Sequence, residues 1–288
     1  MSSSAETSLS ERYVTQCPVG CDAPFSTTSI VLREGPLLEC TACGQLVSQA
    51  TPARYAETMT AFNEADYNRP AGRELERRQR VAKRRLQRIA AFLGKAPEAI
   101  RLVDVGCSRG QFVADAKAAG FQAEGVEPAP RLAAAARAEG LEVHTGLLEE
   151  LRFPDHAFDA LTLFEVVEHL KEPLPLLREA KRILRPGGVV CLTTGNAASW
   201  TVAAMGARWD YFDMARDGGH VSFYNPRSLA LLGERAGCSP LAIETARVRF
   251  SEKGDALHAL AKAAAELLNL PARIAGRGHD MTAYLRRS

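Results

Sequence analysis

Three groups of residues in this chain have the types and spacing for chemistry. Glu165, Glu168 and His169 form a Glu-x-x-Glu-His run directly after an apolar stretch. That spacing sets both carboxylates on one side of a helical turn with the imidazole beside them, and His220 offers a fourth group from further along the chain. Such a set can hold a divalent cation that draws in a hydroxyl pair and lowers its pKa. Without metal, His169 or His220 can act as a general base; a purely hydrogen-bonded, structural role is the third possibility. The second group is Asp104-Val105-Gly106-Cys107-Ser108-Arg109-Gly110, followed by Gly125-Val126-Glu127-Pro128. Gly106 and Gly110 let backbone approach a ligand and turn helix N–H groups toward it. Glu127, at the tip of the next strand, can accept two ribose hydroxyls. The third group is Cys17, Cys21, Cys40 and Cys43, two hooks of the form Cys-x3-Cys and Cys-x2-Cys. Four thiolates suit a tetrahedral Zn2+, and closed all-cysteine coordination is structural rather than catalytic; a redox thiol cluster is the alternative.

The elements that must position these groups follow from the pattern of apolar runs. Strands are expected near 101–105, 122–127, 141–144, 158–164 and 188–194, with helices near 110–119, 130–139 and 172–184, and an Arg185-Pro186-Gly187-Gly188 turn before the fifth strand. A helix from Asn225-Pro226 to about 236, with Asn225 as N-cap, a strand near 241–250, a helix near 254–269 and a strand near 280–286 complete the chain. The alternation predicts an α/β, Rossmann-like, doubly wound sheet of seven mostly parallel strands, plus a small N-terminal zinc-ribbon module. The expected divisions are 1–50 for the ribbon, 51–95 for a linker and basic helix, and 96–288 for the large domain. In such a sheet the carboxyl ends of the strands face the ligand crevice, so the Gly106 turn and the Glu165–His169 run share one rim. The segment 196–225 reads as a long irregular loop rich in aromatics, among them Trp200, Trp209, Tyr211, Phe212, Phe223 and Tyr224. Loops of this length are usually lids or binding loops, and the acceptor is expected beneath this one, near Trp200, Trp209, Tyr211, His220 and Tyr224. Residues 51–72 read as turn-rich, with Tyr55, Phe62 and Tyr67 as packing contacts.

Composition bounds the function classes. A chain of 288 residues, 46% apolar, suits one α/β domain with an accessory module. Its apolar runs are too short to span a bilayer, so no membrane insertion is expected. The Ser-rich start, Met1 to Ser10, has no apolar signal core, which points to a cytoplasmic protein. Cys107, Cys191 and Cys238 are scattered and read as small core residues. A helix from Arg73 to Leu93, closed by Gly94, carries Arg69, Arg73, Arg77, Arg78, Arg80, Lys83, Arg84, Arg85 and Arg88 on or just before it, against Glu74 and Glu76. This is either a solvated helix face or a surface for an anionic substrate or phosphate backbone. No aromatic stacking platform accompanies it, which gives RNA recognition little support.

Taken in order, Val103 to Gly110, Val126-Glu127-Pro128, Phe158-Asp159-Ala160-Leu161, Glu165 to Leu170, Leu184 to Gly188 and His220 to Pro226 resemble the motifs of class I S-adenosylmethionine (SAM)-dependent methyltransferases, type 11/23-like, over about residues 100–287. The resemblance implies SAM as methyl donor, with Asp104, Gly106 and Cys107 by its methionine end and Glu127 on its ribose; Gly110 and Phe164 are expected to line its pocket as well. The chain departs from the family after the third strand. Gly146-Leu147-Leu148 stands where many relatives carry an acid, so Leu147 or Leu148 is expected to pack on adenine while a backbone N–H reads its polar edge. The Glu165/Glu168/His169 combination is similar to that of both ubiquinone-pathway O-methyltransferases and small-RNA 2′-O-methyltransferases. The zinc-ribbon layout resembles sugar-modifying and other biosynthetic methyltransferases. The expected activity is methyl transfer to a small biosynthetic acceptor: a sugar-nucleotide, a polysaccharide precursor or a phenolic compound. Two alternatives stay open. One is an RNA 2′-O-methyltransferase with a Glu/Glu/His metal site and an RNA-gripping basic helix. The other is a SAM-binding regulatory protein without turnover.

Overall fold

The computed structural model describes residues 11–64, 71–250 and 258–288; Met1 to Ser10, Tyr67 and Arg69 lie outside them, and nothing is described of the Phe62 side chain. The chain begins with β1 (Phe25–Leu32), β2 (Gly35–Cys40) and β3 (Leu46–Val47). Residues 52–64, expected to be turn-rich, instead form helix α1 (Pro52–Glu64), with Pro52 at its start, where a missing N–H costs nothing. Helix α2 (Gly72–Leu93) buries Ala82, Leu86 and Ile89 at helical spacing, and Gly94, at φ +63°, closes it in the left-handed conformation that ends many helices.

Strand–helix alternation then runs as expected: β4 (Arg101–Val105), α3 (Gln111–Ala118), β5 (Gln122–Glu127), α4 (Pro130–Ala138), β6 (Val143–Thr145), β7 (Phe158–Phe164), α5 (Leu174–Ile183) and β8 (Leu184–Gly195). One difference is local. Arg185 to Gly188 is no turn ahead of the strand but part of β8, with Gly187 at φ +76° and the β7–β8 register shifting between Phe158 and Ala160. A bulge absorbs the glycines. The segment 196–225 is not irregular throughout: it contains α6 (Trp200–Met205), α7 (Met214–Asp217) and the two-residue β9 (Ser222–Phe223). Helix α8 (Pro226–Arg235) is capped by Asn225, whose side chain and that of Ser228 form a reciprocal capping box. Strand β10 (Cys238–Ala246), helix α9 (His258–Ile274) and β11 (Asp280–Arg287) follow.

The large sheet has the order β10-β11-β8-β7-β4-β5-β6. From β8 to β6 all neighbours are parallel, and β11 inserts antiparallel between β8 and β10. This is a Rossmann-like, mostly parallel seven-stranded α/β fold. Parallel strands are covered on both faces, which is why β7 is an almost unbroken apolar run. Its one acid, Asp159, sits at the opposite end from the crevice and is held by Lys95 at 2.6 Å, Arg185 at 2.7 Å and the Arg101 N–H at 2.9 Å.

A second sheet, β1-β2-β3-β9, takes its first three strands from the cysteine region and its fourth from the large domain. Leu46 pairs with Phe223 and Val47 with Ser222. Cys107, Cys191 and Cys238 are buried among apolar side chains as expected. Among the described residues, no helix is long and apolar enough to cross a membrane.

Candidate active site

The turn after β4 and the acid that ends β5 are tied together by hydrogen bonds. Gly106 and Cys107 donate to the Val126 carbonyl, and Gly110 donates to that of Cys107. Ser108, at φ +51°, turns its N–H onto Glu127 Oε2 at 2.7 Å, and Ala129 donates to Glu127 Oε1 at 2.9 Å. Each carboxylate oxygen keeps a second lone pair for a ligand hydroxyl. Burial raises the Glu127 pKa against the pull of these two N–H groups. Asp104 is buried at the carboxyl end of β4 and accepts from Thr162 Oγ1 at 2.6 Å. Burial pushes its pKa up to about 7; the Thr162 bond opposes this and the Glu127 charge adds to it.

The two glycines of the turn have different reasons. A Cβ on Gly106 would stand 2.7 Å from Val166 Cγ2, whereas one on Gly110 would strike Leu141 Cδ1 at 2.5 Å. Gly110 thus serves the packing of α3 against the α4–β6 connection. Leu147 and Leu148 also part company. Leu148 is 1% exposed within the core and has no surface to offer adenine, while Leu147 is 51% exposed at the crevice rim. Phe164, at the end of β7, is flanked edge-on by Phe112 at 4.6 Å and covered by the Arg85 guanidinium at 4.6 Å.

Arg85 is the residue that sequence reasoning missed. It is one cation among many on a basic helix, yet its guanidinium lies over Phe164, near enough for its charge to oppose the burial that raises Asp104 and Glu165. Four of the other cations are paired with acids: Arg77 and Arg78 with Glu74, Arg80 with Glu76 and Arg88 with Glu244. A three-residue shift of the i, i+4 apolar pattern would have marked Arg85 as half-inward, next to the buried Leu86 and Ile89.

The expected carboxylate–imidazole group does assemble beyond β7. Glu165 sits at φ +57° and accepts from Thr193 Oγ1 at 2.8 Å. Glu168 is fully buried. The Tyr211 hydroxyl bridges the two carboxylates, contacting Glu165 and lying 2.6 Å from Glu168 Oε1. Burial raises both acids, Glu168 well above the usual range with the Glu165 charge adding to the effect. Glu168 Oε2 is buried without a hydrogen-bond partner among the described residues.

The two imidazoles are 4.7 Å apart between ring centroids. His169 Nδ1 faces the Gly218 carbonyl at 2.7 Å and His220 Nδ1 the Tyr211 carbonyl at 3.0 Å. A carbonyl can only accept, so each Nδ1 carries the proton and each Nε2 a lone pair. Burial lowers the His169 pKa to about 4 and that of His220 well below its usual value, leaving both neutral at physiological pH. Ligand atoms of Glu168, His169 and His220 lie within 4.8 Å of one another, whereas Glu165 stays with Thr193 and Tyr211.

Of the aromatics expected around the acceptor, only Tyr211 reaches this group. Trp209 is buried, stacks on Tyr211 at 5.0 Å and donates to His279, so it supports rather than contacts. Tyr224 is buried with its hydroxyl toward the Val167 carbonyl, and Trp200 packs on Val248, Ala265 and Ala272. Tyr55, expected as a packing contact, stacks on Tyr13 and also donates its hydroxyl to the His169 carbonyl at 2.9 Å, a bond of which the sequence carries no sign.

The four N-terminal cysteines converge, with their sulfurs within 4.8 Å of one another and Cys17 Sγ 3.6 Å from Cys43 Sγ. That separation is far beyond a disulfide bond. It matches the edge of a tetrahedron with Zn–S bonds of about 2.3 Å, roughly 3.8 Å. Crowding splits the thiols: hydrogen bonding to Cys43 brings Cys17 down to about 5, while the same contact and burial drive Cys43 up.

Comparison with known proteins bears on this geometry. Residues 75–243 match a family model described as a methyltransferase domain. Over 156 residues the chain is 32% identical to the ubiquinone biosynthesis O-methyltransferase of Xanthomonas oryzae pv. oryzae, covering 51% of this chain and 64% of that protein. A protein of the same name from Cereibacter sphaeroides is 30% identical over 154 residues, 50% of this chain and 62% of its own. The chain therefore spans less than two thirds of the length of these curated relatives. Among solved structures, geranyl diphosphate C-methyltransferase from Streptomyces coelicolor superposes with a TM-score of 0.53 at 19% identity, covering 83% of this chain and all of that one (100%). The 1,6-didemethyltoxoflavin-N1-methyltransferase of Burkholderia thailandensis gives 0.53 at 16% identity, covering 85% and 96%. At such identities the likeness is one of fold.

Proposed function

Because the chain belongs to the SAM-dependent methyltransferase family, we propose that it moves the sulfonium methyl of SAM to a hydroxyl of a small, phenolic type of acceptor. The observation that carries this reading is the pairing of a donor turn with a buried carboxylate–imidazole group, Gly106 lying directly against Val166. The residues fit SAM: Glu127 has acceptor capacity for two ribose hydroxyls, exposed Leu147 offers an apolar face for adenine, and Asp104 and Arg85 offer opposite charges to its ammonium and carboxylate. In the step itself the acceptor oxygen bonds the methyl carbon as the carbon–sulfur bond breaks, and S-adenosylhomocysteine leaves. The acceptor proton passes to a lone pair on the neutral His220 or to a carboxylate of the Glu165/Glu168 pair. Alignment in a pocket closed by Tyr211 and its Trp209 backing supplies most of the acceleration. The hydroxyl specificity is supported by the names of the 30–32% identical relatives.

One observation favours a metal-assisted form of the same reaction. The orphaned Glu168 Oε2, flanked by His169 and His220, is a donor set suited to a divalent cation. A cation held there would supply Lewis acidity toward the acceptor hydroxyl. Cys17, Cys21, Cys40 and Cys43 fit a structural zinc ion by their thiol chemistry and the 3.6 Å sulfur separation.

Incubation with methyl-labelled SAM and a panel of catechols, phenols, sugar-nucleotides and small RNAs tests the reading. Label in the phenolic acceptors is the expected result. Label confined to RNA would replace it with the nucleic-acid reading, and SAM binding without any labelled product would leave a regulatory protein.

A further inference from the structure

The cysteine region does not simply rest on the large domain. Two residues after Gly44 the chain becomes β3, whose two side chains point to opposite faces as strand geometry requires. Leu46 packs with Trp209, Phe212 and Phe223, the layer that backs Tyr211; Val47 packs with Met214 and Val221 beside His220. The backbone is tied as tightly. Ser48 donates to the Val221 carbonyl at 3.0 Å, and Val221 donates to the Glu168 carbonyl at 2.9 Å. The residue next to His220 is therefore clamped between the cysteine module on one side and the Glu168 main chain on the other. Asn225 adds a second tether. Its Oδ1 caps α8 by accepting from Ser228 N, while its Nδ2 donates to the Gly44 carbonyl at 2.7 Å, next to Cys43. Arg227 reaches the Ala42 carbonyl and Arg235 the Val19 carbonyl, so both cysteine hooks are fastened to α8.

We infer that the four-cysteine module is a positioning element of the acceptor site: β3, set by the Cys40–Cys43 hook, holds His220 against Glu168, and order in the hook is coupled to order in the cleft. A hydrogen-bonded strand pair opens as one unit, so loosening the hook frees Ser222–Phe223 and the Val221 clamp together. The donor turn after β4 takes its backbone hydrogen bonds from β5 and from within itself, and it meets this unit only through the side-chain approach of Val166 to Gly106. The inference rests on reading the Glu168–His220 cleft as the acceptor site, yet its test reads backbone exchange and is independent of which group is methylated.

The test is hydrogen–deuterium exchange by mass spectrometry on the full chain, with SAM affinity measured alongside. Asn225→Asp keeps the helix cap but replaces the donor to Gly44 by an acceptor. It should raise exchange in peptides covering 40–48, 166–170 and 218–224 together, by about fivefold or more, while 101–110 is unchanged and SAM affinity stays within about twofold. Zinc chelation of the wild-type chain should give the same coupled pattern. Faster exchange at 40–48 with 218–224 and 166–170 still protected would overturn the inference. So would a rise that extends equally to 101–110, since the module would then be a general stabiliser rather than a positioning element.

Discussion

Gly106 lies so close to Val166 that a Cβ on it would stand 2.7 Å from Val166 Cγ2. Gly106 belongs to the turn whose Ser108 N–H donates to Glu127, and Val166 lies between Glu165 and Glu168. The Gly106 turn and the Glu165–Glu168 run are thus in van der Waals contact through one missing side chain. On the proposed assignment of donor and acceptor, a methyl group held by the first has only a short way to travel to a nucleophile held by the second.

Gly110 should matter for folding rather than for binding. A side chain there meets Leu141 at 2.5 Å and is forced into φ +74°. Gly110→Ala is expected to cost about 1–3 kcal/mol of stability, from strain and overpacking together. Chemical denaturation checks this; a stability equal to wild type would mean that α3 shifts freely on α4.

Asp104 should make SAM binding pH-dependent. Burial raises its folded pKa to about 7, so the stability it contributes is full below the ordinary carboxylate range and is lost as pH rises toward 7. SAM carries two positive charges against one negative, and its arrival favours the ionised carboxylate. Binding near pH 6 should therefore release a proton, and affinity should rise up to about pH 7 and then level. Calorimetry in buffers of different ionisation enthalpy measures the release; heats independent of buffer at pH near 6 would place Asp104 away from the donor's charges.

Arg85 should hold the SAM carboxylate. Arg85→Gln keeps a planar polar group but removes the charge, and is expected to weaken SAM by roughly 1–2 kcal/mol, with less loss for 5′-methylthioadenosine, which lacks the amino-acid end. Competition binding with both compounds separates the cases. An equal loss for the two would assign Arg85 to packing on Phe164 alone.

Protein purified under reducing conditions should contain one zinc ion per chain, and Cys40→Ser should lose it. Atomic emission on both samples decides; absence of zinc from the wild type would return the cluster to thiol redox chemistry.

The parts of this site that were legible in the sequence are those written locally. The Val103–Gly110 turn, the acid ending β5 and the Glu165–His169 run each join an apolar stretch to a fixed spacing, and parallel strands buried on both faces make such stretches plain. Asn225-Pro226 announced α8 for the same reason. What escaped is non-local or too short to carry a period. β9 has two residues, and only its pairing with Leu46 and Val47 makes it a strand. α6 and α7 span six and four residues within an aromatic stretch, less than two helical turns each. Neighbouring leucines at 147 and 148 look alike in sequence, and the fold alone decides which one is buried. Tyr211 and Tyr55 acquire their roles only when distant segments close on His169 and Glu168.

The central claim is a division of labour, with Glu127 serving the donor and His220 the acceptor. It is tested most directly by measuring SAM affinity and single-turnover rate on the same two variants. Glu127→Ala should weaken SAM by roughly 1–3 kcal/mol yet recover much of the rate at saturating SAM. His220→Ala should leave SAM affinity unchanged while the rate falls by about 10²-fold or more. Wild-type turnover in His220→Ala, or SAM affinity lost equally in both variants, would contradict the account.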